Sequence, residues 1–190
     1  MIQRLLRFIA ISRSQRIARR YFVVNGFDGA LTMLGLLMGF YFSAGADLDV
    51  AVTACLGGAI ALGMSGFSSA YLSEAAERRR EFHKLQKAMV TDLSGSAHQE
   101  ASRWVPLLIA LVNGLSPLLI SLAIILPLWL ARYGVALPLA PLEAAIGIAF
   151  MLIFLLGVFL GKVSGVFWLV SGLQALVIAV LTSTLIYFVA

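Results

Sequence analysis

The fold is decided by the stretch from Tyr21 to Phe42, YFVVNGFDGALTMLGLLMGFYF. At about 1.5 Å of rise per residue, this apolar run is long enough to cross the hydrocarbon core of a bilayer. It nevertheless contains Asp28, and an ionisable side chain at such a depth costs roughly 2.5–3.5 kcal/mol on insertion scales. Residues of this kind are usually retained for function. The stretch therefore predicts a cation or proton site in the membrane, with Asn25 as a neighbouring ligand.

A simpler interpretation of Asp28 is also open. The carboxylate could lie near the membrane interface and pair with Arg19, Arg20 or a backbone amide at the start of the span. The glycines around Asp28 favour the functional interpretation, because a simple membrane anchor has no evident use for them.

Composition assigns the chain to the membrane proteins. Of its 190 residues, 61% are hydrophobic and only 12% are charged, and the mean hydropathy is +0.98. Soluble domains have about 45–50% apolar and about 25% charged residues. We therefore expect an all-α integral membrane protein with five transmembrane helices. The single cysteine, Cys55, excludes a disulfide within the chain.

Four segments follow from hydropathy and charge. Residues 1–20 predict a basic amphipathic helix on the cytoplasmic membrane surface, with a solvated basic tail as the alternative. Residues 21–72 hold the first two spans, 73–103 form a charged, helical cytoplasmic loop, and 104–190 hold the last three spans. No helix breaker separates the second span from the charged helix that follows it.

Basic residues predict the orientation. Of the 14 Lys and Arg residues, six precede the first span and six lie within residues 78–103. Cytoplasmic segments carry such an excess, so we expect a cytoplasmic N-terminus and an external C-terminus. Only Arg132 then lies outside. Because topology accounts for the net charge of +5, we do not expect a nucleic-acid partner.

Small residues predict close helix contacts. Gly35 and Gly39 in the first span, and Gly58 and Gly66 in the second, are the kind of residue that lets helix backbones approach each other in lipid. We expect these two spans to pack tightly, either against each other or against a second copy of the chain. Pro117 in the third span predicts a kink.

A second group of candidate ligands lies beyond the second span. Three glutamates, Glu74, Glu77 and Glu81, share one helical face, and further possible ligands lie nearby in the loop. Together they suit a divalent cation such as Mn²⁺ or Fe²⁺; the loop residues are His83, His98, Asp92 and Glu100. The alternative is a solvated helix in which Glu74–Arg78 and Glu77–Arg80 pairs neutralise the charge.

Enzymatic activity is not expected. The sequence has no HExxH, Gly-x-Ser-x-Gly or phosphate-binding glycine motif, and both histidines lie in the loop. Ser116 and Ser121 have no histidine or lysine base within the spans.

Several stretches together resemble the vacuolar iron transporter family. FDGALTMLGLLMG (27–39) is similar to the Asp-Gly motif of its first span, and GGAIALGMSGFSSAYLSEAAER (57–78) to its second span and the glutamate-bearing helix beyond. NGLSPLL (113–119) resembles the Gly-x-x-Pro of its third span, and residues 160–189 resemble its last turn and span. This chain looks like a short prokaryotic member that lacks most of the cytoplasmic metal-binding domain.

The resemblance implies a homodimer in the prokaryotic cell (inner) membrane. Such a protein exports Fe²⁺ or Mn²⁺ from the cytosol in exchange for protons and requires no cofactor. Asp28 matches the family's first-span aspartate. The family's second-span methionine falls on Gly66, or on Met64 after a two-residue shift, and Ala70 stands where the family has a glutamate.

Two other functions stay open on the sequence alone. One is a transporter or channel of the same fold for a different solute, and the other is a membrane scaffold that transports nothing and recruits anionic lipid or a partner.

Overall fold

The structure, a computed structural model, describes residues 14–43, 47–89 and 95–189. These residues form five α-helices and no strand; the helices are α1 (Ser14–Phe42), α2 (Leu48–Met89), α3 (Ala97–Arg132), α4 (Pro141–Ser164) and α5 (Trp168–Val189). All five are long and apolar enough to cross a membrane. The expected all-α fold with five membrane-length helices is therefore confirmed for the described part of the chain.

Helix boundaries refine the predicted segments. The amphipathic helix predicted for residues 1–20 lies outside the described residues as far as residue 13, and residues 14–20 are the first turns of α1 itself. Helix α2 continues without a break from the second apolar run through the charged segment to Met89. The polar extension is thus a continuous helical extension of a membrane-length helix.

The start of α3 is capped by Ser96. The Ser96 hydroxyl accepts a hydrogen bond from the Gln99 amide at 3.4 Å, an amide that the first helical turn leaves free. The Gln99 side chain in turn accepts a bond from the amide of Gly95, the residue before the cap, at 2.7 Å. Gly95 has a φ of 77°, which glycine adopts without a steric penalty.

Helix α1 is the centre of the bundle, because it contacts each of the other four helices. Helix α2 packs mainly on α3, and α5 mainly on α4. Buried apolar side chains from all five helices form the core; its largest members lie on α1, α3 and α4 and are Met33, Leu34, Leu37, Ile124, Ile125, Leu128 and Ile153. The core thus lies around α1.

Glycines set the closest helix contacts. A Cβ at Gly29 of α1 would lie 2.8 Å from the backbone of Pro117 in α3, and one at Gly114 of α3 would lie 2.6 Å from the carbonyl oxygen of Gly63 in α2. Real Cβ contacts are longer than this, so both positions require glycine in the observed packing. Helix α3 is thereby held at backbone contact with α1 on one side and α2 on the other.

The four glycines predicted for packing have different surroundings. Gly66 abuts the Asn113 backbone of α3, and Gly58 lies near two side chains of α1. A Cβ at Gly35 would meet only a side chain of α5, at 3.7 Å, and one at Gly39 would meet nothing within 4 Å. The first and second spans therefore touch only sparsely within one chain. Within one chain the two spans do not pack tightly against each other, because the buried face of α2 is directed at α3. Close packing against a second copy of the chain stays a prediction.

An ion pair joins two helix ends. Arg132 Nε at the end of α3 lies 2.8 Å from Asp49 Oδ1 at the start of α2. Both side chains are largely exposed, so the pair contributes little, about 0.2–1 kcal/mol. Arg132 is the one basic residue that the predicted topology places outside the cytosol, and this ion pair gives its charge a partner there.

We predict that Gly29→Ala destabilises the bundle and that Gly147→Ala does not. The added methyl at position 29 collides with the Pro117 backbone, and such overpacking costs about 1–3 kcal/mol. A Cβ at Gly147 meets nothing within 4 Å. Thermal unfolding in detergent measures the difference. A Gly29→Ala protein as stable as Gly147→Ala would contradict the close α1–α3 contact.

Candidate functional site

Asp28 lies on the outer face of α1. Its side chain is exposed although it stands in the membrane-length part of the helix. Thr32, Gly35 and Gly39 follow at intervals of four, three and four residues, so they lie on the same face as Asp28. This face, named here the Asp28 face, is polar at the end of Asp28 and Thr32, and at the other end, at Gly35 and Gly39, it has no side chains.

The described residues offer Asp28 no counter-charge. The ion pairs among residues 14–43, 47–89 and 95–189 involve Arg78 and Arg132, and neither Arg19 nor Arg20 lies within 4.0 Å of the Asp28 carboxylate. The simpler interpretation of Asp28, a pairing with the basic residues at the start of the span, is therefore not seen. A carboxylate on the outer surface of a membrane-length helix requires some other partner.

Asn25 belongs to a different contact. Its Nδ2 donates a hydrogen bond to the Tyr21 carbonyl at 2.9 Å and another to Asn113 Oδ1 in α3. Asn113 is buried, and its own Nδ2 donates to the Gly66 carbonyl in α2 at 2.5 Å. The structure thus places Asn25 in a polar bridge across three helices, on the side of α1 that faces α3, whereas Asp28 is exposed.

Ser116 extends this bridge by one turn of α3. Its buried hydroxyl donates to the Phe22 carbonyl in α1 at 2.6 Å. By contrast, the buried hydroxyl of Ser121 has no hydrogen-bond partner among the described residues. The bridge therefore lies at one level of the bundle, close to the contact between Gly29 and Pro117.

Met64 lies on an apolar surface. It is 60% exposed and lines a groove between α2 and α3, with Ile60, Leu111 and Leu115 among its neighbours. No α1 residue lines this groove, so Asp28 is not part of its wall.

The glutamates beyond the second span are arranged around an arginine. Arg78 Nη1 lies 3.0 Å from Glu81 Oε2, and Arg78 Nε lies 3.9 Å from Glu74 Oε2. Glu77 is exposed, and the predicted Glu77–Arg80 pair is not among the ion pairs of the described residues. Within those residues no three His, Cys, Asp or Glu side chains converge on one point. His83 lies in a separate cavity with Arg79 and Arg103.

Two candidate neighbours of this cluster are not described. Asp92 lies outside the described residues, and so does the side chain of His98.

Asn113 is the residue of this region that the sequence did not single out. It stands in NGLSPLL, the stretch that resembles the family's Gly-x-x-Pro. An amide within a membrane span is itself a sign of interhelical hydrogen bonding. That sign could have identified Asn113, but it could not have named Asn25 and Gly66 as the partners.

We predict that Asn25→Ala and Asn113→Ala are coupled in stability. Each removes the bond between the two side chains, so the double variant should lose less unfolding free energy than the two single losses added together. Coupling energies for such bonds in membranes average about 0.6 kcal/mol. Ser121→Ala is the control, because its hydroxyl has no partner to lose. Strict additivity of the two asparagine variants would show that the bond between their side chains contributes nothing to stability.

Comparison with known proteins gives one informative relative. The chain is 32% identical over 187 residues to uncharacterized protein MJ0645 of Methanocaldococcus jannaschii, an alignment that covers 95% of this chain and 94% of that protein. No family model matches the chain, and no solved structure matches it. At this identity and coverage, the chain belongs to the same protein family as MJ0645 of Methanocaldococcus jannaschii.

Proposed function

We propose that the protein is a homodimeric transporter of divalent transition-metal ions, Fe²⁺ or Mn²⁺, which exports them from the cytosol in exchange for protons. One observation carries the proposal: Asp28 is exposed on a membrane-length helix and has no ion-pair partner among the described residues. Ionisable residues in membrane spans are expensive and commonly mark ion and proton pathways. The resemblance to the vacuolar iron transporter family supplies the choice of ion.

The Asp28 face supports a second copy as its covering partner. Thr32, Gly35 and Gly39 leave room for another helix, and little within the protomer occupies that room. Small residues at such spacing are a common means of close helix association in lipid. A two-fold axis along this face would bring the two Asp28 side chains together, because an isologous contact pairs each patch with itself.

Two carboxylates at one two-fold axis carry two negative charges, which balance the charge of one divalent cation. Once the ion has left, protons would neutralise the two carboxylates instead. Oxygen ligands suit Mn²⁺ well and accept Fe²⁺. In this mechanism Asp28 exchanges metal for protons. Asn25 donates to the polar bridge through its amide nitrogen, so its carbonyl oxygen would be the atom that it offers to the ion.

The orientation belongs to the same proposal. Successive spans cross the membrane in opposite directions, so the start of α1, the end of the second span, the start of α3 and the end of α4 lie on one side. This side carries Arg19, Arg20, Arg103 and Lys162, together with the arginines after the second span. An excess of positive charge favours the cytosol for this side. The exposed Glu77, together with Glu74 and Glu81 around Arg78, would then attract cations at the cytoplasmic entrance.

A different solute is the second candidate, and Gly66 favours it. A side chain at Gly66 would meet the Asn113 backbone at 2.8 Å, so the family's methionine has no room there in this packing. Ala70, at the position of the family's glutamate, is buried. The second span therefore contributes packing where the family has ligands, and this difference is consistent with a changed substrate.

We predict that Asp28→Asn abolishes metal flux in proteoliposomes that hold a metal-sensitive dye and carry a pH gradient. The amide keeps the size of the side chain and loses its charge and proton, so Mn²⁺ or Fe²⁺ entry should fall at least about tenfold. Asp49→Asn is the control, because Asp49 lies at a helix end in an ion pair with Arg132. Equal flux through wild type and Asp28→Asn would disprove the assigned role. Flux of a different solute alone would favour the second candidate, and no flux at all would favour a scaffold.

We also predict that Gly39→Leu lowers the dimer fraction, whereas Gly147→Leu does not. Both glycines have open space around them within the protomer, so neither substitution should disturb the fold. Only Gly39 lies on the Asp28 face. Light scattering of the detergent-solubilised protein, or subunit counting in liposomes, gives the oligomeric state. A stable Gly39→Leu dimer would place the subunit interface elsewhere.

A further inference from the structure

A continuous groove follows the seam between α2 and α3. Three cavities form it, of about 390 Å³, 490 Å³ and 180 Å³. The first and second share Tyr71 and Arg103, and the second and third share Phe67. All the lining residues belong to α2 and α3, so the groove is independent of the Asp28 face.

The groove changes character along its length. Its first cavity is lined by side chains that donate hydrogen bonds, with no carboxylate among them; these include Tyr71, Arg79, His83, Gln99, Ser102 and Arg103. The middle cavity adds Trp104 and Leu107. The last is almost wholly apolar, with Ile60, Met64, Leu111, Leu115 and Leu118 in its walls. A basic, polar end thus leads into a hydrocarbon-like channel.

The two arginines are available for an anion. Within residues 14–43, 47–89 and 95–189, no carboxylate oxygen lies within 4.0 Å of the Arg79 or Arg103 guanidinium. Both residues are exposed, and they stand on the two helices that face each other across the cavity. Guanidinium groups bind phosphate oxygens through paired, charge-assisted hydrogen bonds.

The last two cavities together fit one leaflet of a membrane. From Ile60 in the last cavity to Tyr71 in the middle one, helix α2 rises about 17 Å, and half of a typical hydrocarbon core is about 15 Å. Trp104 lines the middle cavity, next to the basic end, and tryptophan is enriched at the membrane interface. The basic end would therefore lie at headgroup level, with the apolar channel at acyl-chain level.

We propose that the α2–α3 groove binds an anionic phospholipid, with its phosphate between Arg79 and Arg103 and an acyl chain along Met64 and Leu111. Charge complementarity selects the lipid class, because the cavity offers donors and two cations but no acceptor charge. Basic pockets between membrane helices recognise anionic headgroups in this way. A lipid here would brace the polar extension of α2 against the start of α3.

The exposed side chains of the groove support a lipid as its occupant. Met64 is 60% exposed and Leu115 is 46% exposed, although both lie in membrane-length helices. Gly63 and Gly114 hold the two helix backbones in contact beneath them, so the valley is too shallow for another helix to enter deeply. A flexible acyl chain can fill such a valley.

The test is a titration of the purified protein in neutral detergent with phosphatidylglycerol and with phosphatidylcholine of the same acyl chains, with bound lipid counted by native mass spectrometry. We expect phosphatidylglycerol to bind more tightly. The double variant Arg79→Gln/Arg103→Gln should weaken its binding about 30-fold, since each basic residue near a charged headgroup is worth about 1 kcal/mol. The matched control Arg80→Gln/Lys87→Gln removes the same charge outside the cavity and should bind as wild type does.

Further variants test the apolar half and the other occupants. Leu111→Trp should fill the channel and weaken phosphatidylglycerol binding, while soluble glycerol phosphate should not compete with the lipid. Elution volume and thermal unfolding without lipid confirm that each variant is folded. Equal binding of the two lipids, equal loss in the control, or competition by glycerol phosphate would overturn the proposal. Disulfide formation between Leu111→Cys protomers in liposomes would overturn it as well, because a second copy would then occupy the groove.

Discussion

The structure depends on the middle of α3, where a buried amide and a proline meet two neighbouring backbones. Asn113 Oδ1 accepts a hydrogen bond from Asn25 Nδ2 of α1, and Asn113 Nδ2 donates one to the Gly66 carbonyl of α2. One turn further along α3, Pro117 lies against Gly29 of α1. Apolar attraction between helices is weak in lipid, so close packing and interhelical hydrogen bonds determine which faces meet. This one level of the bundle therefore fixes the rotation of both α1 and α2 about their axes.

The position of Asp28 follows from that rotation. Asn25 and Asp28 are three residues apart and thus roughly 60° apart around the helix, given 3.6 residues per turn. Gly29 and Asn25 are both held against α3, which turns Asp28 to the outer surface. Sequence alone singled out Asp28 by its cost in a membrane. The polar bridge explains why that carboxylate faces outward instead of into the protomer's own core.

Hydropathy was sufficient to predict the number of helices, because a membrane-length apolar run is a property of one segment. The packing partner of α2 was harder to predict, because small residues occur on every face of this helix and each face could therefore approach another helix closely. Gly63 and Gly66 face α3, whereas Gly57 lies in open space, and composition does not distinguish the two. The pairing of Arg78 with Glu81 was likewise missed, since several arginines and glutamates alternate along that helix and only side-chain geometry selects between them.

The exposure of Asp28 determines what a cation site on this face would require. One protomer provides a single carboxylate on the Asp28 face, and Thr32, one turn further along, adds a hydroxyl to the same face. A divalent ion needs more oxygen ligands than these two side chains offer, so a site at this face is incomplete without a partner. If the partner is a second copy, the two carboxylates repel each other whenever neither metal nor protons are present. The proposed dimer would then be most stable when its site is occupied, which links assembly to the ion or proton it holds.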